Sequence, residues 1–296
     1  MTTLIYRLGY IALNVTDLDV AVADAQAIAG ARLVHHDADH AMLTSNKRHC
    51  EVVFHRATSN AVRAIGLEAK SAAAVDEVAK RAKARGLRVL SETPSLKVIE
   101  RSATFASSEG HIFEVHTPMP DDQPSRYAGP GIKPRCLDHV NLAAVDTKAM
   151  AEEFADVLGL VVTERMKTYE LIWMRAGDGR HHTVGLAKGK PGLHHYSWEF
   201  GDFGDFKRLG DVLDASDRRL IWGPGRHGAG DNLFAYYLDS SGFMVETTSE
   251  MEYIADPNRP EKVTGDLSNY KVVNRWGALP PQEWIEHHND FVGIDQ

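Results

Sequence analysis

The sequence predicts an α+β protein whose two similar halves each contain a β-α-β-β-β module twice. The first observation is an internal repeat, since residues 8–34 resemble residues 137–162. Each begins with an alternating apolar run and an Asp, continues as a helical stretch and reaches a Gly before a β-branched run. The second is that residues 107–118 match residues 240–249, with a Gly and a Glu at equivalent positions. Four such modules would form curved mixed sheets.

A strand followed by a helix recurs in the middle of each half. In the first half, the segment IGLEAKSAAAVDEVAKRAKARGLRVL predicts a strand and then a helix over residues 72–85. Residues 196–221 repeat this plan in the second half. Each half therefore holds two modules.

A segment rich in Pro, Gly and Asp separates the two halves. We therefore predict a first domain at residues 1–118, a linker at 119–134 and a second domain at 135–250. Residues 251–296 are polar and contain four prolines. We predict that this tail packs against the domains and over the site through Tyr270, Trp276 and Trp284, with a solvated tail as the alternative.

Composition excludes several classes of protein. A chain of 296 residues with 43% hydrophobic residues can bury substantial cores. A net charge of −8 argues against nucleic-acid binding, and no apolar run is long enough to cross a membrane. Two cysteines exclude a disulfide framework, and residues 1–15 alternate like a strand rather than a signal peptide. We expect a cytoplasmic homo-oligomer.

Histidines and one carboxylate recur in four segments of the second half. The segments are LDHVNL with His139, HHTVGL with His181 and His182, LHHYSWEF with His194 and His195, and GRHGAGDNLFAYYLDSSGFMVE with His227, Tyr236 and Glu246. Two histidines and a carboxylate on three strands can bind one face of a metal ion and leave the other face open. That arrangement suits the oxygen chemistry of non-haem Fe(II).

The internal repeat places the metal in one half. The first half has Tyr10 at the position of His139 and Ala64 at the position of His195. The carboxylate is shared, as Glu114 and Glu246. Histidines needed for packing would tend to have counterparts of similar bulk, so we predict a single metal site in the second half.

Taken together, these segments resemble the vicinal oxygen chelate superfamily over residues 4–250. More narrowly, the chain is similar to the two-domain type I extradiol ring-cleavage dioxygenases, with GPGRHG followed by Tyr236 ten residues before Glu246. The resemblance implies the two-domain vicinal oxygen chelate fold and an Fe(II) ion, with Mn(II) as the alternative. It assigns the metal ligands as His139, His195 and Glu246.

The resemblance also assigns catalytic residues around the metal. His182 matches the acid–base histidine, while His227 and Tyr236 match a pair near the substrate hydroxyls. Adjacent strand residues face opposite ways, so the pair of histidines leaves His181 as the alternative. We choose His182 because it shares a strand face with Val184 and Leu186.

Pocket-lining residues are less specific. The candidates are Asn141, Trp173, His181 and Trp222, with structural packing as the alternative. Relatives that act on catechols with an acidic side chain carry an Arg five residues before the histidine equivalent to His227, where this chain has Trp222. The resemblance therefore favours a neutral, alkyl- or aryl-substituted catechol.

The resemblance implies extradiol cleavage of a catechol with O2 to a muconic semialdehyde-type product. Two other functions stay open. One is a glyoxalase-like metal-dependent isomerase or lyase, which uses a metal-bound water and four protein ligands. The other is a non-enzymatic module that binds a small molecule.

Overall fold

The computed structural model describes residues 3–125 and 129–293. Residues 1–2 of the predicted first domain, 126–128 of the predicted linker and 294–296 of the predicted tail lie outside the described residues. Within the described chain, no helix is long and apolar enough to span a membrane.

The first half contains two β-α-β-β-β modules in succession. The first module comprises β1 (Ile5–Val15), α1 (Leu18–Asp24), β2 (Arg32–His36), β3 (His40–Thr44) and β4 (Val52–Arg56). The second comprises β5 (Ala61–Ala69), α2 (Ala72–Ala84), β6 (Val89–Ser91), β7 (Ser102–Ala106) and β8 (Ile112–His116). Helix α1 continues into a π-helical turn, Ala25–Ala29.

The second half repeats this order. Its first module comprises β9 (Cys136–Ala144), α3 (Thr147–Leu158), β10 (Val161–Met166), β11 (Leu171–Arg175) and β12 (Val184–Lys188). Its second comprises β13 (Gly192–Glu199), α4 (Phe203–Ala215), β14 (Trp222–Arg226), β15 (Leu233–Leu238) and β16 (Met244–Ser249). The following segment adds β17 (Lys262–Thr264), a 3₁₀ turn (Tyr270–Val272) and α5 (Gln282–Ile285). The predicted α+β architecture of four modules is confirmed.

Each half forms one mixed sheet. The first has eight strands in the order β2-β3-β4-β1-β5-β8-β7-β6. The second has nine, in the order β14-β15-β16-β13-β9-β12-β11-β10-β17. In both, the opening strands of the two modules pair antiparallel near the centre, and each pairs parallel with the last strand of its own module. The two sheets therefore present equivalent positions at their centres.

Local capping fixes where the helices start. Helices α1, α2, α3 and α4 begin after Asp17, Ser71, Asp146 and Asp202 respectively, and each of these side chains accepts a backbone N–H of the first turn. The apolar helix faces pack on one face of the sheets in a core that is continuous between the halves. Phe113 and Phe154, for example, meet edge to face at 5.2 Å.

The opposite face of each sheet differs between the halves. Since strand side chains alternate, Ile11 points into the main core and Tyr10 to the other side. Tyr10 there joins a small apolar cluster with Cys50, Met119 and neighbouring residues. In the second half, this face holds the candidate site.

Candidate metal centre

Three neighbouring strands carry the predicted metal ligands. His139 lies on β9, His195 on β13 and Glu246 on β16, and these strands are adjacent in the order β16-β13-β9. The Nε2 atoms of His139 and His195 lie 2.9 and 3.1 Å from Oε2 of Glu246. All three side chains are at most 3% exposed. The sheet register therefore brings the three donor atoms to one buried point.

The hydrogen bonds of the imidazoles define which nitrogen faces this point. Nδ1 of His139 lies 2.6 Å from the carboxylate of Asp138, to which it donates. Nε2 of His194 donates to the carbonyl of Trp284 at 2.7 Å, so its Nδ1 accepts from Nδ1 of His195 at 2.6 Å. Both ligand histidines in their neutral form thus direct an Nε2 lone pair at the Glu246 carboxylate.

Three electron-rich atoms at this spacing need a cation between them. Metal–ligand bonds of about 2.1 Å place neighbouring ligands of an octahedral ion about 3 Å apart, which matches the two measured separations. Burial lowers the pKa of His139, but Glu246 and Asp138 outweigh burial and raise that pKa to about 9. The three donor atoms therefore fit a divalent metal ion. A proton on His139 would compete with that ion for the same nitrogen.

Asp138 connects His139 to an arginine. One carboxylate oxygen accepts from His139 and the other from Arg180. Arg180 also donates to Glu199 at 2.7 Å and contacts Asp178 at 3.5 Å. Burial raises the pKa of Asp178 to about 6, against the opposing effect of Arg180. A carboxylate behind a metal-binding imidazole orients the ring and increases its basicity.

His182 is the member of its pair that reaches the cavity. It lines the cavity wall, whereas His181 lies behind it with no exposed surface. His181 Nε2 donates to Glu164 at 3.3 Å, so its Nδ1 accepts from Nδ1 of His182 at 3.1 Å. This leaves Nε2 of His182 free for other partners. Burial first, and then the neighbouring His139, lower the pKa of His182 well below its usual value.

His227 and Tyr236 form a second hydrogen-bonded pair beside the carboxylate. Nδ1 of His227 donates to the carbonyl of Val273 at 2.6 Å, so its Nε2 accepts from the Tyr236 hydroxyl at 2.9 Å. The same Nε2 lies 3.6 Å from Oε1 of Glu246. Burial, reinforced by the Glu246 charge, raises the pKa of Tyr236 well above its usual value. The phenol therefore stays protonated.

These groups open onto a cavity of about 420 Å³. The site side chains that line it are His139, His182, His194, His195, His227, Tyr236 and Glu246. Most of the remaining wall is apolar, and comes from Leu171, Trp173, Ala187, Ala229, Leu267, Val272, Val273, Pro280, Trp284 and Ile285. Asn141, Glu170 and Lys188 complete the lining. The cavity is thus wide enough for a substituted aromatic ring.

Two of the predicted pocket residues, Asn141 and Trp173, line this cavity. The other two, His181 and Trp222, stand behind its wall. His181 is turned toward Glu164. Trp222 stacks on Tyr236 with ring centroids 5.5 Å apart, and its indole donates to the carbonyl of Ala278 at 2.8 Å.

Much of the apolar wall comes from the segment after residue 250. Trp284 packs against His194 and Trp222, with ring centroids 4.5 and 4.6 Å away. Tyr270 and Trp276, also expected to anchor this segment, are 52% and 46% exposed. Sequence reasoning missed Asp138, Arg180 and the role of His194. The bonds from Arg180 to Asp138 and from His194 to Trp284 join residues far apart in the chain. The local signals were two adjacent pairs, Asp138-His139 and His194-His195.

The first half shows what the same positions look like without donor histidines. The Tyr10 hydroxyl donates to Glu114 at 2.7 Å and lies 3.0 Å from the Ser95 hydroxyl. Ala64, at the position of His195, lies opposite Ala12 just as His195 lies opposite Asn141. The phenol therefore fills the space that would hold a metal ion.

A comparison with protein families identifies the second half. Residues 136–247 match the model of the Glyoxalase/Bleomycin resistance protein/Dioxygenase superfamily. This match is confined to the second half of the chain. The matched residues include all the strands that carry His139, His195 and Glu246.

Two curated relatives are similar to this chain. Metapyrocatechase 2 of Cupriavidus necator is 26% identical over 157 residues, which are 53% of this chain and about half, 48%, of that protein. The manganese-dependent 2,3-dihydroxybiphenyl 1,2-dioxygenase of Geobacillus genomosp. 3 is 27% identical over 282 residues, covering 87% of this chain and 89% of that protein.

A solved structure has the same fold over almost the whole length. The Mn(II)-bound glyoxalase from Novosphingobium aromaticivorans superposes with a TM-score of 0.89 and 27% identity. The superposition covers 99% of this chain and 98% of that one. The four-module arrangement is therefore shared beyond the domain at residues 136–247.

Proposed function

We propose that this protein is an extradiol dioxygenase that cleaves a catechol with O2, beside the diol, to a muconic semialdehyde-type product. The observation that carries the proposal is the convergence of His139, His195 and Glu246 beside an apolar cavity that His182, His227 and Tyr236 also face. The names of the two curated relatives support the same reaction class.

Fe(II) is the metal we propose, bound by His139, His195 and Glu246, with Mn(II) as the alternative. When bound, the ion would supply open positions for both catechol oxygens, a lowered pKa for the hydroxyls and the redox chemistry that activates O2. Three protein ligands on one face leave room for these partners. Asp138 and His194 hold the two imidazoles in the tautomer that binds a metal.

His182 is the proposed acid–base residue. Its Nδ1–H is held by His181, which in turn is held by Glu164, so its Nε2 is fixed in direction. In the neutral state Nε2 can accept a proton, and in the cationic state it can donate one. Its low pKa makes the cation a strong acid, which favours release of the proton to a reduced oxygen atom as the O–O bond breaks.

His227 and Tyr236 are the proposed partners of the substrate hydroxyls. Nε2 of His227 carries a lone pair, because the Val273 carbonyl occupies its Nδ1–H. It can accept a hydroxyl proton from the catechol directly or through Tyr236. Trp222 stacked on Tyr236 holds the phenol in place.

The apolar wall favours a neutral substrate. Leu171, Trp173 and Ile285 would contact a hydrocarbon substituent, and the volume of about 420 Å³ exceeds that of a bare catechol ring. The charged lining residues apart from the metal site are Glu170 and Lys188, which have opposite charges. We therefore propose an alkyl- or aryl-substituted catechol.

A glyoxalase-type isomerase is the second candidate, and the Mn(II)-bound glyoxalase structure favours it. Such enzymes use metal-bound water and no redox change. Against it, the buried ligand cluster among the described residues contains three members rather than four.

Oxygen uptake separates the two reactions. Protein purified without air and loaded with Fe(II) or Mn(II) is given a panel of catechols, and we expect oxygen consumption with a yellow ring-fission product. Glu246→Gln is the matched inactive control. Turnover of a hemithioacetal without oxygen uptake would establish the isomerase instead. Activity that survives strong chelators and oxidants would contradict a redox metal.

A further inference from the structure

A second group of metal-binding side chains lies in the first half, at the hairpin between β2 and β3. His35, Asp37 and His40 each offer one donor atom, and these atoms lie within 4.8 Å of one another. Nε2 of His35 is 2.9 Å from Oδ2 of Asp37, and Nδ1 of His40 is 3.0 Å from Oδ1. The two distances run to different oxygens of the Asp37 carboxylate, and the three donor atoms are close enough to surround one ion.

The hairpin holds these groups in place before any ion binds. Oδ1 of Asp37 accepts the backbone N–H groups of Asp39 and His40, both at 2.9 Å, and the Asp37 N–H donates to the His40 carbonyl at 3.0 Å. The two imidazole rings consequently lie 4.7 Å apart. Little conformational freedom would be lost on binding, because the turn is already formed.

The cluster also has the charge and the access that a cation needs. Hydrogen bonds from His35 and from the His40 and Asp39 backbone hold the pKa of Asp37 below its usual range, so it is ionised at neutral pH. The side chains of His35 and Asp37 are each 44% exposed, and that of His40 is 26% exposed. The surface faces solvent, unlike the buried centre on the other sheet.

We propose that His35, Asp37 and His40 form a surface site for one divalent first-row transition cation of the Zn²⁺ class. Two imidazole nitrogens and one carboxylate oxygen suit Zn²⁺, Co²⁺, Ni²⁺ or Cu²⁺, and disfavour Mg²⁺ and Ca²⁺, which take oxygen ligands. Three protein ligands leave a position for water or for a donor from another molecule. The site is independent of the proposed dioxygenase reaction.

Equilibrium dialysis of the full chain, already loaded at its buried centre, against Zn²⁺ tests the site. Elemental analysis is expected to find one Zn²⁺ per chain more in the wild type than in His35→Gln or His40→Gln. Loss of a residue that only hydrogen-bonds a metal ligand weakens metal binding roughly 10- to 100-fold, so loss of a ligand itself should weaken Zn²⁺ binding by at least as much. Comparing variants cancels any Zn²⁺ that enters the buried centre.

His49→Gln is the matched control. His49 also bonds an aspartate, Asp122 at 2.8 Å, but no second imidazole among the described residues completes a cluster there. It should keep the wild-type Zn²⁺ content. Zn²⁺ should also shift the ring proton resonances of His35 and His40 in the unaltered protein, and Mg²⁺ should not. Equal Zn²⁺ content in all four proteins, or ring resonances that do not respond to Zn²⁺, would overturn the proposal and leave simple ion pairs.

Discussion

The Tyr10 hydroxyl donates a 2.7 Å hydrogen bond to Glu114. At the equivalent position of the other half, His139 directs a nitrogen lone pair at Glu246 from 2.9 Å. A phenol brings its own proton to the buried carboxylate, whereas an imidazole whose proton is donated to Asp138 does not. One half therefore satisfies its carboxylate with an internal hydrogen bond, and the other takes up a metal cation or a proton.

The two equivalent glutamates give a paired test of the metal centre. We expect Glu246→Gln to lose bound iron and activity, because it removes an anionic ligand. Glu114→Gln should retain iron, since its partner Tyr10 is a hydrogen-bond donor that an amide oxygen can still satisfy. Iron per chain after gel filtration under argon is the measurement. Full iron occupancy in Glu246→Gln would remove that residue from the ligand set.

Asp138 should tune the affinity for the metal without binding it. Asp138→Asn weakens the charge behind His139, and we expect metal affinity to fall roughly 10- to 100-fold. Asp178→Asn is the control, because Asp178 contacts the same Arg180 but not His139. Competition with a fluorescent chelator measures both affinities. Equal losses in the two variants would assign the effect to Arg180 rather than to His139.

Replacement of the two neighbouring histidines separates catalysis from support. His182→Phe should keep the metal and bind catechol, while kcat falls by about 10²- to 10⁴-fold because a positioned acid–base group is lost. His181→Phe should reduce stability more than turnover, since its ring is buried against Glu164. Steady-state kinetics with metal analysis measure this. The reverse pattern would move the catalytic role to His181.

Stability should depend on pH through Asp239 in the β15–β16 turn. Burial raises its pKa from 3.8 to about 7, although the N–H groups of Phe243 and Ser241 oppose the rise. The folded state therefore holds the Asp239 proton more tightly than the unfolded state does. The bound proton stabilises the fold fully below pH 4, and this stabilisation is lost as pH rises toward 7. Asp239 is half-buried, so the loss of stability should be well below the about 4 kcal/mol that corresponds to the full pKa shift.

Asp239→Asn isolates this contribution. Asn can accept the same two backbone hydrogen bonds through Oδ1 and carries no charge. The free energy of unfolding, measured in urea between pH 4 and pH 8, should fall less for the variant than for the wild type. Parallel pH profiles for the two proteins would contradict the raised pKa.

The repeat explains why the sequence predicted the modules and the convergence of the ligand strands. Duplicated patterns could be compared position by position, which distinguished His139 from Tyr10 and His195 from Ala64 without any structure. The predicted helix at residues 72–85 ends within one residue of α2 for a local reason, because its cap and apolar spacing are encoded in adjacent residues.

Other features depend on contacts that leave no local pattern. The strand Lys262–Thr264 pairs with β10 across about a hundred residues, and its sequence reads as polar tail. Trp222 lies on a strand whose pairing register shifts between Trp222 and Gly225, so the direction of its side chain could not be inferred from alternation. The bond from His194 to the Trp284 carbonyl spans 90 residues.

Gly9 and Asp138 occupy equivalent positions, and so do Arg48 and Arg180, four residues before β4 and β12. Arg48 donates to the carbonyls of Leu8 and Gly9, where Arg180 bonds the Asp138 carboxylate. A Cβ at Gly9 would stand 2.1 Å from Nε2 of His116, so the His116 ring would have to move before a carboxylate could be introduced there. If two histidines were introduced into the first half, the carboxylate that orients one of them would still be missing. The first half thus holds the His116 ring beside the position where the second half holds the carboxylate that orients a ligand histidine.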